Sequence, residues 1–196
     1  MRSINYIIVE VDSAYNNDKD IGNGINITVN TSIESVEHIN RVAKVVKAPD
    51  FTMLEEGDEV IVHHNIFRLR NDQMGLEVES NYWIEDNKYF VPLTEVFMYR
   101  RGDSDWKALD PYCFVKPIEQ EQPEQVQGIY VKDMEDNYKG MVKNTGVMAY
   151  VNESLKSLGV SDGDTIAFSN YSEYEFTIDG ELYYKMATKD IIGIYK

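Results

Sequence analysis

The sequence predicts an all-β protein of two small modules in tandem, and three observations carry that expectation. Short runs rich in β-branched and aromatic residues recur along the chain, each bounded by Gly, Pro, Asn or Asp. Two unrelated strand patterns return at one common offset. The 196 residues also suit two domains of roughly 100 each. On pattern alone the modules are small barrels or sandwiches.

The predicted strands run, in order, over Tyr6–Val11, Val42–Lys47, Glu59–His63, Tyr89–Val91, Val96–Tyr99, Tyr112–Val115, Thr165–Phe168 and Ile191–Tyr195. Fourteen tyrosines fit the same bias. One helical turn is expected near Asn152–Leu158, with Asn152 capping its start and Gly159 its end. Val147–Val160 is read as partly helical. Tyr112-Cys113-Phe114-Val115 follows Tyr6-Ile7-Ile8-Val9 by 106 positions, and Gly163-Asp164-Thr165-Ile166 follows Gly57-Asp58-Glu59-Val60 by the same 106. These repeats place module 1 at residues 1–101, a polar linker at 102–110 and module 2 at 111–196. The halves are not copies. From Val62 to Ile84 is 22 positions but from Phe168 to Ile178 only 10, so module 1 carries an extra 12 within 63–83.

Charge narrows the function. Thirty-four acidic against nineteen basic residues leave a formal net charge of −15. That sign disfavours nucleic acid and anionic membrane surfaces, both of which need a basic face. No apolar run approaches the roughly 20 residues of a membrane-spanning helix, and the N-terminal apolar run is too short for a secretory signal. The expectation is a cytoplasmic protein that binds neither nucleic acid nor membrane. The one cysteine, Cys113, sits in a strand pattern, where a thiol packs as a small hydrophobe.

The second half resembles the GroES-type co-chaperonins. Gly163-Asp164-Thr165-Ile166-Ala167-Phe168 is similar to the family's Gly-Asp-x-Val-x-Phe strand. Ile178 to Ile194 follows its closing hairpin without a gap, and Tyr112-Cys113-Phe114-Val115-Lys116 stands where the family opens. The resemblance is looser over residues 4–101, where it leans on the internal repeat. It implies two tandem GroES-like β-barrels, each with a long mobile loop after its first strand. It implies a non-enzymatic protein without cofactors that self-associates into a ring and caps a GroEL-type chaperonin, ATP being bound by that partner. The family docks through a Gly-Ile-x-(Leu/Val) loop tip. Gly128, Ile129, Tyr130 and Val131 occupy that place in module 2, and Gly24, Ile25, Ile27 and Val29 in module 1. Ala48–Glu56 is too short for the roof hairpin of bacterial members. The Asn- and Tyr-rich, divergent character is compatible with a phage source.

Bland readings stand beside these. Each Gly-Ile tip is equally a glycine turn opening an ordinary strand. A structural or assembly protein built of duplicated barrels is the rival function; a dehydrogenase would need a nucleotide-binding half that is not seen. His63-His64 on a strand would point to opposite faces and so make no metal site. Asp162-Gly163-Asp164 is a plain turn lacking the other ligands of a calcium loop. Gly102-Asp103-Ser104 has no paired histidine for nucleophilic chemistry. Trp83 and Trp106 are expected to pack.

Overall fold

A computed structural model describes residues 4–15, 18–20, 26–28, 39–119 and 141–195. The chain divides into two compact units, Met1–Trp106 and Lys107–Lys196. Both are built almost wholly of strands, as expected of an all-β protein.

In the first unit the principal strands are β1 (Tyr6–Glu10), β4 (Val42–Lys47), β5 (Glu59–Val62), β8 (Trp83–Glu85), β9 (Lys88–Pro92) and β10 (Val96–Arg100). Between them lie two small ribbons, β2 (Asp18–Asp20) with β3 (Asn26–Thr28), and β6 (Arg70–Asn71) with β7 (Glu77–Val78). The main sheet runs β8-β9-β1-β4-β5-β10. Alternation sets its faces: along β1 only Ile7 and Val9 are fully buried. β5 and β10 are apolar on both faces, since Val60, Ile61, Val62, Val96, Phe97 and Met98 are all buried.

The second unit contains β11 (Lys107–Ala108), β12 (Tyr112–Glu119), β13 (Met141–Tyr150), α1 (Glu153–Ser157), β14 (Thr165–Phe168), β15 (Tyr174–Ile178), β16 (Glu181–Ala187) and β17 (Ile191–Ile194). Its sheet runs β15-β16-β12-β13-β14-β17. Strand for strand, this is the order of the first unit. Its core gathers Cys113, Val115, Met148, Leu155, Ile166, Phe168, Tyr184 and Met186. Burial pushes the Cys113 thiol up to about 12, with the Asp190 carboxylate adding to the shift.

The 106-residue offset has a hydrogen-bonding counterpart. The Gly57 N–H donates to the Val45 carbonyl (2.8 Å), and the Val45 N–H donates to the Asp58 carbonyl (2.7 Å). In the second unit Gly163, Met148 and Asp164 repeat the pair at 2.8 and 2.8 Å. Each Asp side chain also accepts the N–H three residues upstream, from Glu55 and Ser161, at 2.8 Å. Gly57 and Gly163 both adopt φ near +90°, which explains glycine at the turn. Downstream, His63 N–H to the Glu95 carbonyl matches Ser169 N–H to the Asp190 carbonyl.

Asp58 has more than its counterpart. It is buried, and Arg101 grips both carboxylate oxygens at 2.8 and 3.0 Å while also reaching Glu55 and the Met53 carbonyl. The Arg101 guanidinium holds the Asp58 carboxyl below its ordinary 3.8, and the Glu55 N–H acts in the same direction. A depressed carboxylate contributes stability that is fully present above its unfolded value and fades as pH falls through the folded one. Asp58→Asn should therefore cost the first unit about 1–3 kcal/mol near neutrality. That deficit should shrink below about pH 4. Thermal melts of both proteins across the acid range check it; parallel curves at every pH would count against the ion pair.

Val147–Val160 is partly helical, as expected: Val147–Tyr150 closes β13 and Glu153–Ser157 forms α1. The strand continues because Met148 pairs at both its N–H and its carbonyl with the Gly163–Asp164 turn, a contact invisible to local pattern. The His63 and His64 rings do not diverge but stack, with centroids 4.2 Å apart. β5 ends at Val62 and a 3-10 turn begins at His64, so the two-residue strand period no longer applies. Trp106 packs as expected, 6% exposed with the Arg100 guanidinium 4.6 Å over its ring, but Trp83 is 41% exposed.

The 63–83 insertion is anchored from below. Ile66 and Phe67 are fully buried, and Phe67 meets Tyr89 of β9 edge-on at 4.9 Å. The buried Ser80 hydroxyl donates to the Ile66 carbonyl (2.6 Å) and accepts the Tyr82 N–H (2.9 Å). The insertion thus plugs the core at one end of β9.

Candidate functional site

The segments expected to dock leave equivalent points of the two sheets. In the second unit β12 and β13 pair antiparallel, and their outermost partners are Glu119 and Met141. The 120–140 segment therefore starts and ends at one place, the tip of a long ribbon. In the first unit the corresponding segment joins β1 to β4, which also pair antiparallel. Its base is tied shut. Tyr15 forms a bridge with Ile39, the Asn40 N–H donates to the Ala14 carbonyl (3.0 Å), and the Asn40 side-chain amide donates to the Ser13 carbonyl (3.2 Å). The Asn40 side-chain oxygen then accepts the Val42 N–H (3.0 Å) at the start of β4. From the other side the Tyr15 hydroxyl accepts the Leu69 N–H at 3.2 Å, and burial raises its pKa.

Of the residues expected to touch a partner, Ile27 lies on β3, opposite Lys19 of β2. Gly24, Ile25, Val29, Gly128, Ile129, Tyr130 and Val131 fall outside the described residues. The β2–β3 ribbon was not expected, since no predicted strand fell between residues 13 and 40. Nor did the sequence point to the Tyr15–Ile39 clamp.

Gly146 shapes the launching ribbon of the second unit. It pairs with Pro117, which lacks an N–H, where the register of β12 and β13 slips. A Cβ at Gly146 would collide with the Val115 side chain and sit 2.9 Å from the Lys116 carbonyl oxygen. Val115 is fully buried and cannot swing away. Gly146→Ala is expected to destabilise the second unit by about 1–3 kcal/mol through overpacking. A denaturant titration with an unchanged midpoint would contradict the close approach. On the outer side of β12, Lys116 Nζ pairs with Glu181 at 2.8 Å, and the Tyr183 hydroxyl donates to the same carboxylate at 3.0 Å. Lys116 first and Tyr183 second hold the Glu181 carboxyl below the ordinary glutamate range.

Among the described residues no three His, Cys, Asp or Glu side chains converge to hold a metal. No helix among them is long and apolar enough to cross a membrane.

The second unit is the one that comparison with known proteins recognises. The family model for the chaperonin 10 kDa subunit matches residues 106–195. The co-chaperonin GroES of Rhodothermus marinus is 32% identical over 90 residues, spanning 45% of this chain and 89% of the relative. The chain belongs to the chaperonin 10 kDa subunit family. The co-chaperonin GroES of Deinococcus radiodurans is 28% identical over 91 residues, which is 45% of this chain and 96% of that protein. The family match begins at Trp106, one residue before the second compact unit, and includes β12, the 120–140 segment, α1 and the β15–β16 hairpin.

Proposed function

We propose that this protein is a co-chaperonin that caps a GroEL-type chaperonin and assists protein folding, docking through 128–131 and 24–29. The carrying observation is that in the family-matched unit Glu119 pairs with Met141 at the outer end of the β12–β13 ribbon, the point where the 120–140 segment begins and ends. Twenty-one residues fixed at both ends can reach out roughly 30 Å. Ile129, Tyr130 and Val131 are the apolar side chains nearest its middle. The shared strand order supports reading the first unit as a second GroES-like barrel, with Ile25, Ile27 and Val29 as its contacts.

Energetics favour assembly. Burying one Ile, Val or Tyr in a partner groove contributes about 1.5–3 kcal/mol. Ordering a segment of this kind on binding costs about 2–5 kcal/mol. One loop therefore binds weakly and reversibly, whereas a ring presenting many makes later contacts effectively intramolecular. Nothing in this reading requires the chain to bind nucleotide; ATP belongs to the partner.

The test is co-elution of the full chain with a GroEL-type chaperonin in the presence of ATP or ADP. A complex that forms with nucleotide and dissociates without it is the expected result. Absence of a complex under all nucleotide states would sink the proposal.

A further inference from the structure

The 63–83 insertion, outside the residues matched by the family, carries a surface cleft of about 410 Å³. It is lined by Asn65, Arg68, Leu69, Arg70, Asn71, Asn81 and Tyr82. Six of these seven side chains offer hydrogen-bond donors, Leu69 being the exception, and none is acidic, although the chain carries 34 carboxylates against 19 basic residues. Asp72, Glu77 and Glu79 of the same hairpin lie outside the lining. The Asp72 carboxylate is occupied by the Met74 and Leu76 N–H groups at 2.8 and 2.9 Å.

The cleft is also braced. β6 and β7 hold Arg70 and Asn71 opposite Val78 and Glu77. Arg70 Nε donates to the Glu79 carbonyl at 3.2 Å, which fixes its arm and leaves both terminal nitrogens for a ligand. Ser80 ties the Tyr82 wall to Ile66, and Tyr15 ties down Leu69. Such a wall of polar donors around two guanidinium forks does not suit an apolar molecule. It suits a compact oxyanion that accepts several hydrogen bonds at once.

We infer that this cleft is a binding site for a phosphate group, either free phosphate or the phosphate of a small monoester. Local electrostatics agree. The neighbouring His64 titrates at about 4, depressed first by burial and then by the positive charges of His63, Arg41 and Arg68. Positive charge is thus concentrated on one patch of an otherwise acidic chain. Because the site lies in the first unit and needs no chaperonin, it stands or falls independently of the capping role.

The experiment uses the full chain alone, titrated with inorganic phosphate and separately with glycerol phosphate, at constant ionic strength set with chloride. Saturable shifts of the Arg68, Arg70 and Asn81 side-chain NMR signals are expected, and a bound anion should raise the His64 titration midpoint. Arg68→Gln and Arg70→Gln should each weaken binding by about tenfold or more. Their melting temperatures, expected to be unchanged, separate lost binding from lost folding. Tighter binding of glycerol phosphate would mark a phosphorylated metabolite as the ligand, and equal binding would mark free phosphate. Linear, non-saturating shifts would overturn the assignment, as would folded Arg→Gln variants that bind as the parent does.

Discussion

Replacing Ile129 and Val131 together by serine is expected to abolish co-elution with a GroEL-type chaperonin while leaving the melting temperature unchanged. The two side chains together would forfeit about 3–6 kcal/mol of burial at each engaged loop. That is at least about a hundredfold per contact, and the loss compounds around a ring. Stability is expected to be spared because the core of Cys113, Val115, Met148 and Phe168 and the ladder up to the Glu119–Met141 pair are formed by other residues. The matching triple substitution Ile25→Ser, Ile27→Ser and Val29→Ser asks whether the first module also engages. If the Ile129/Val131 variant still co-elutes undiminished, those residues are not the anchors.

Asn152→Ala should produce the largest loss of stability from a single substitution discussed here, about 2–4 kcal/mol. Asn152 is fully buried and its side chain works on three fronts. The oxygen accepts the Leu155 N–H (2.9 Å) and so starts α1, while the amide nitrogen donates to the Tyr112 carbonyl (2.9 Å) and to Thr188 Oγ1 (2.7 Å). It therefore joins the opening of β12, the helix and the turn before β17. Alanine removes a cap and takes the side-chain donor from two part-buried acceptors. For a domain of this size the melting temperature should fall by roughly 10–20 °C or more. Asn152→Asp keeps the cap but loses both donations, so it should fall between the two. A shift of only a degree or two in Asn152→Ala would show that the three contacts do not act together.

What the sequence reveals and conceals follows from the range of the interactions involved. The strands around Tyr6, Val42, Thr165 and Ile191, the Gly57 and Gly163 turns and the Asn152 cap are all legible, because each is decided within a few residues. Gly159 ends α1 as expected, with φ of +85° and the Val160 N–H returning to the Leu155 carbonyl. The second half of β13 is absent from the predicted strands because its partner turn at Gly163–Asp164 lies well downstream. Arg101 stands at the last position of the predicted first module, with no local sign of a partner, yet it closes on Asp58 across 43 positions. The His63–His64 stack escapes notice because a strand pattern continues in sequence one residue past where the backbone leaves it. The clamp of Tyr15 on Ile39, and of Leu69 on Tyr15, depends on three separate segments meeting. Periodicity carries no trace of such a meeting.

Cys113, sealed in the second core, makes the loops proposed to dock easy to watch. Thiol reagents attack the thiolate, and with a pKa near 12 only roughly one Cys113 in 10⁵ is ionised at neutral pH, in a site that solvent does not reach. A cysteine introduced beside either Gly-Ile tip would consequently be the sole reactive handle on the chain. A fluorophore attached there could follow the proposed docking on a chaperonin in real time, without first removing the native sulfur.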